Sequence, residues 1–160
     1  MKKRAVFLDF TGCRVFSVDT VCKIATRFAY CKANQLFIHF EVRPTDKFAL
    51  PYTSTELFHL RQVCSDLSLE LIPSLDLNTS HSLDKSVTTE ILRWFLQCFP
   101  GCRSFHFGGN LSPLLVDDLS QMEMIHQMSG DLLYFSYDSI PDFSESLPPY
   151  CVLCLPGKSD

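Results

Sequence analysis

Phe99-Pro100-Gly101-Cys102-Arg103-Ser104-Phe105-His106-Phe107-Gly108-Gly109-Asn110-Leu111 is the stretch on which the reading of this chain turns. Pro100-Gly101 ends the helical pattern before it, because proline has no N–H to donate and glycine accepts backbone angles that other residues avoid. Residues 104–107 then make a short apolar run of the kind that forms a buried strand, and Gly108-Gly109-Asn110 breaks it. Helix, stop, strand and polar turn make up one αβ unit. Upstream, residues 84–99 read as the helix, with Val87, Ile91, Trp94, Phe95 and Cys98 on one face.

The unit repeats in both directions. Residues 5–10, 35–40 and 69–75 are the strand-like runs before it, and residues 132–137 and 150–155 those after it. Between them lie helical stripes: Val21, Ile24, Ala25, Phe28 and Ala29 behind a cap at Ser17 or Asp19, then Leu57, Leu60, Val63, Cys64 and Leu67 behind Ser54-Thr55-Glu56. A further helix is expected within residues 113–128. Repeated βα units require a parallel sheet with right-handed crossovers, either doubly wound or a barrel, and periodicity does not choose between them. No Gly-x-Gly-x-x-Gly follows the first strand and no phosphate-loop motif occurs, so nothing points to a dinucleotide or nucleotide cofactor.

The polar residues fall in a pattern. Asp9, His39, Asp76, Asn110 and Asp138 each stand at or just beyond the C-terminal end of a predicted strand. That edge carries the site in α/β folds, where strand ends converge and loops vary freely. Each residue taken singly reads as a turn or helix cap; together they read as one pocket.

The chain has 160 residues, 46% hydrophobic and 20% charged, enough for one domain with a substantial core. A net charge of -4 argues against nucleic acid as a partner. Met1-Lys2-Lys3-Arg4 has the charge of an export signal, but Asp9 interrupts the apolar run that follows, leaving it too short for a signal core or a membrane span. The eight cysteines mostly occupy apolar helical stripes, as Cys22, Cys31, Cys64 and Cys98 do, and are read as reduced small hydrophobes. A cytoplasmic or nuclear protein is therefore expected, not a secreted one. Cys151 and Cys154 form a lone Cys-x-x-Cys inside a strand, too few ligands for zinc, and no metal is expected.

The opening stretch also resembles the signature of glycoside hydrolase family 20, the β-N-acetylhexosaminidases, in which a helix ends in Phe-Pro and the next strand reads His-x-Gly-Gly-Asp-Glu. Other segments resemble the family in the same order: Leu8-Asp9, Asn34-Gln35-Leu36-Phe37-Ile38-His39, Tyr52-Thr53-Ser54-Thr55-Glu56, Ile72-Pro73-Ser74-Leu75-Asp76 with His81 after it, and Tyr137-Asp138. The resemblance spans residues 5–155, and in style it is nearest to the intracellular hexosaminidase D branch. It implies an α/β fold, an incomplete TIM-type (β/α) barrel of about six parallel strands with crossover helices, in a single domain over residues 1–160. The last two βα units of an eight-fold barrel are missing from it. A fragment or shortened isoform, a chain completed by a partner or second copy, and an open sheet covered by loops all remain open. The unpaired sheet edges invite a protein partner or self-association.

The resemblance also implies a chemistry, and the departures alter it. Family 20 enzymes remove terminal N-acetylhexosamine with help from the sugar's own acetamide: the Asp of the signature orients that group and the Glu protonates the leaving oxygen. Here the pair is Asn110-Leu111. Asn110 brings no negative charge and Leu111 has no proton to give, so no catalytic residue is intact. The family's sugar-gripping Arg falls at Gly12, with Arg14 two residues out of register, and the Glu of Ile-Pro-Glu is Ser74. An inactive hexosaminidase-like protein is expected, with Asp9, His39, Asp76, His106, Asn110, Tyr137 and Asp138 as candidate substrate-binding residues. Glu41 and Asp138 are the candidates for a relocated acid, and Glu41 and Asp46 follow His39 without clear register. A lectin-like module that binds an N-acetylhexosamine glycoconjugate through Asn110, Tyr137 and Asp138 is the third reading.

Overall fold

The computed structural model describes residues 2–11, 15–42, 48–77, 84–116, 118–136 and 147–154. Within them run β1 (Ala5–Asp9), α1 (Val18–Tyr30), β2 (Gln35–Val42), α2 (Ser54–Asp66), β3 (Glu70–Leu77), α3 (Lys85–Cys98), β4 (Phe105–Phe107), α4 (Leu111–Val116), α5 (Leu119–Ser129), β5 (Leu133–Ser136) and β6 (Cys151–Cys154). The helices start where side chains can take up free N–H groups. Ser17 caps α1, and Thr53 caps α2 in a reciprocal box with Glu56. Asp84 caps α3. That helix stops at Phe99, ahead of Pro100 and a left-handed Gly101 with φ of 83°. The single helix expected within residues 113–128 is two: Asp118 accepts the Gln121 N–H and opens α5 behind the short α4.

All six strands are parallel and lie in chain order, β1-β2-β3-β4-β5-β6. A doubly wound sheet would reverse its order at a switch point. This one never reverses, and it curls into a half-barrel, an incomplete α/β barrel. Side chains display the curl. Across three strand spacings, about 14 Å in a flat sheet, the ring of Phe7 in β1 still lies edge-on to that of His106 in β4, 5.7 Å between centroids. Lys3, just before β1, hydrogen-bonds the Tyr134 hydroxyl of β5.

Alternation along each strand divides the side chains between two faces. Leu36, Ile38, Phe40 and Val42 of β2, Leu71, Leu75 and Leu77 of β3, Phe105 and Phe107 of β4, and Leu133 and Phe135 of β5 point to the convex side. There they join the helix stripes, including Val21, Leu60, Ile91 and Phe95, in one apolar core. Trp94 packs on the edge of that core beside Phe48, at 5.5 Å, as its helical stripe implied. The remaining alternate residues line the concave side.

Candidate functional site

The concave face is layered along the strands. At their N-terminal end, Glu70 accepts hydrogen bonds from Gln35 Nε2 at 2.6 Å and Ser104 Oγ at 2.6 Å, and Gln35 Nε2 also reaches the Tyr134 hydroxyl at 3.1 Å. Next comes a small apolar layer of Phe37, Ile72 and the Tyr134 ring, flanked by Val152 and Cys154. Phe7 stacks on Phe37 at 6.0 Å but is 50% exposed, because no strand beyond β1 covers it among the described residues.

The third layer is polar and crosses four strands. His39 Nδ1 lies 2.6 Å from Ser74 Oγ, Ser74 Oγ lies 2.7 Å from His106 Nδ1, and His106 Nε2 lies 3.3 Å from Ser136 Oγ. Parallel register sets this up by placing His39 opposite Ser74 and Ser74 opposite His106. Burial pushes the His106 pKa down to about 4, with further lowering from His39. Burial also lowers that of His39, against the opposing charges of Asp9, Asp76 and Glu41. Both imidazoles are thus neutral at pH 7.

The strand ends above this layer hold the remaining predicted residues, each with a local task. Asp9 Oδ1 accepts the Thr11 N–H at 2.8 Å. Asp76 Oδ1 accepts the backbone N–H groups of Leu77 at 2.8 Å, Asn110 at 2.9 Å and Leu111 at 3.3 Å, fixing the start of α4. Gly108 makes that approach feasible: a Cβ there would stand 2.8 Å from the Asp76 Cβ. Asn110 donates from Nδ2 to the Leu77 carbonyl at 2.9 Å. Leu111, where the resemblance implies the catalytic acid, has 0% exposure and belongs to the convex core. Tyr137, Asp138, Gly12, Arg14, Asp46 and His81 lie outside the described residues.

The structure therefore brings Asp9, His39, Asp76, His106 and Asn110 to one end of the half-barrel. Ser74, which links the two histidines, was singled out in the sequence only as a departure. Ser136 was not singled out at all, and its signal was available: it follows Tyr134 at the inward-facing spacing of β5. Cys151 packs on the convex side of β6 and Cys154 on the concave side, so this Cys-x-x-Cys cannot close on a single ion within its strand. Among the described residues no group of three or more His, Cys, Asp and Glu is placed to hold a metal. His126 is half-buried. It stacks on Tyr150 at 3.9 Å and bonds the Asp131 carbonyl through Nδ1 at 3.0 Å.

Against solved structures, the crystal structure of a β-N-acetylhexosaminidase from Bacteroides fragilis NCTC 9343 superposes with a TM-score of 0.65 at 15% identity, over 94% of this chain and 44% of that one. The chain has a hexosaminidase-like fold. It spans less than half the length of that hexosaminidase. No family model and no curated protein matches the sequence. No helix among the described residues is long and apolar enough to cross a membrane.

Proposed function

We propose that this chain is a β-N-acetylhexosaminidase-like protein that does not hydrolyse glycosides. One observation carries the reading: Leu111 is a buried hydrocarbon in the convex core. General acid catalysis needs a protonated group within hydrogen-bonding reach of the leaving oxygen and contributes about 10²–10⁴-fold. A leucine packed into that core supplies neither proton nor reach. Asn110 and Asp76 support the same reading, since their polar atoms hold α4 in place.

The hexosaminidase-like fold and the ordered strand-end residues favour an N-acetylhexosamine as the ligand class. The lectin-like reading shares that ligand but has less support, because the Asn110 amide is bonded to Leu77 and its other two residues lie outside the described ones. The intact chain, incubated with 4-nitrophenyl N-acetyl-β-glucosaminide and galactosaminide across about pH 4–8, is expected to release no nitrophenol. Turnover that disappears in Glu41→Gln would replace this reading with an active enzyme using a relocated acid. Calorimetry with N-acetylglucosamine then asks about binding alone: heat at millimolar sugar with no turnover supports a binding pocket, and no heat removes the lectin-like reading.

A further inference from the structure

Two hydrogen bonds to a single hydroxyl have a strict hydrogen count. The bridges His39 Nδ1–Ser74 Oγ and Ser74 Oγ–His106 Nδ1 need two hydrogens, and Ser74 supplies one. One imidazole must therefore carry its hydrogen on Nδ1 while the other presents a bare Nδ1. If His39 carries it, the chain runs His39 Nδ1–H to Ser74, Ser74 O–H to His106, and His106 Nε2–H to Ser136. If His106 carries it, every arrow reverses.

We propose that His39, Ser74, His106 and Ser136 form a two-step proton acceptor: the first proton enters at His39 without breaking a hydrogen bond, and the second, at His106, opens the inner layer of the half-barrel. The first step is tolerated because a doubly protonated His39 still donates from Nδ1 to Ser74, and Ser74 still donates to His106. Around His39 stand Asp9 from β1, Glu41 from its own strand and Asp76 from β3, all favouring its charged form. The Phe7 ring covers it at 5.4 Å. The second step has no such support. A hydrogen on His106 Nδ1 leaves the Ser74 hydroxyl hydrogen without an acceptor in the ladder, and two cations then flank one buried oxygen.

Uncharged surroundings enclose His106. Phe7 and Phe37 meet its ring edge-on, each at 5.7 Å, with Ser74 on one side and Ser136 on the other. His39 is the one charge acting on it, and it acts against protonation. On β6, Cys154 stands opposite Ser136; burial raises its pKa and Lys3 opposes that. Ser74 occupies the place where the family resemblance has a glutamate, so the carboxylate that would balance both rings is absent from between them. Between the two steps the histidine–serine layer gains one positive charge with its geometry unchanged. The inference does not depend on the proposed function.

The test is a titration of the histidine ring ¹⁵N shifts in the intact chain, assigned with His39→Gln and His106→Gln, alongside near-UV circular dichroism. The expected result is a His39 midpoint at least about one pH unit above that of His106, a tenfold difference in proton affinity. The aromatic dichroism should hold through the first step and fall with the second. Ser74→Ala should narrow the gap between the midpoints. The two rings titrating together, the reverse order, or loss of the dichroism at the first step would overturn the proposal. So would a gap unchanged in a folded Ser74→Ala protein, while the unmodified chain tests the order of protonation even if that variant fails to fold.

Discussion

The two faces of the sheet are built by opposite rules. On the convex side, alternate residues of β2, β3, β4 and β5 and one stripe from each of several helices merge into a single apolar cluster. On the concave side, a polar network, a small apolar layer and a histidine–serine ladder succeed one another along the strands. The convex face behaves as a packed core in which volume is the main variable. The concave face behaves as a set of hydrogen-bond and charge requirements met across strands that are distant in sequence. Leu111 belongs to the first kind of surface although its place in the sequence suggests the second, and the functional conclusion follows from that.

Substitutions and solution conditions can probe this contrast in descending order of effect. Phe107, fully buried on the convex face, should cost about 3–5 kcal/mol when truncated to alanine, read by urea unfolding. Phe7, half-exposed on the concave face, should cost about half as much or less, since part of its ring is already in water. Equal losses at the two positions would erase the distinction between the faces.

Acid should act first on the concave face. His106 is neutral in the fold with a pKa lowered from 6.5 to about 4, so the unfolded chain binds its proton first as pH falls. Stability from this group is therefore full above pH 6.5. It drops by about 1.4 kcal/mol per pH unit down to about pH 4 and stays flat below that. Urea midpoints measured from pH 7.5 to 4 should follow this slope in the native chain and lose most of it in His106→Gln. A smaller effect is expected of Gly108→Ala, whose methyl group would press on the Asp76 side chain that fixes α4, at about 1–3 kcal/mol. Thr53→Ala touches neither face. It removes the cap of α2 and should cost about 1 kcal/mol in the same assay.

Much of the fold was legible because hydrophobic period is a local signal. The six strands, the helix starts near Ser17 and Asp84 and the stop at Pro100-Gly101 are written within a few residues of where they act. The break between α4 and α5 was missed because Asp118 interrupts a helical pattern that otherwise continues, and a cap in mid-pattern looks like an exposed acid. The site was legible in placement but not in use. Sequence puts Asp76 and Asn110 at strand ends, yet only the curled sheet shows Asp76 turned to the N–H groups that open α4 and the Asn110 amide turned to the Leu77 carbonyl. The histidine ladder needs the register of four strands at once, which no single segment encodes. The family resemblance carried the barrel reading, and its departures at Ser74 and Leu111 became the informative positions.

The most direct test of the claim that Leu111 is a core residue is urea unfolding of Leu111→Glu beside the native chain, with the chromogenic hydrolysis assay on the same samples. Burying a carboxylate in the convex core should cost at least about 3 kcal/mol and yield no turnover. A variant as stable as the native chain that hydrolyses the N-acetyl-β-glucosaminide would contradict the claim, and would place position 111 at an active site from which only the acid had been lost.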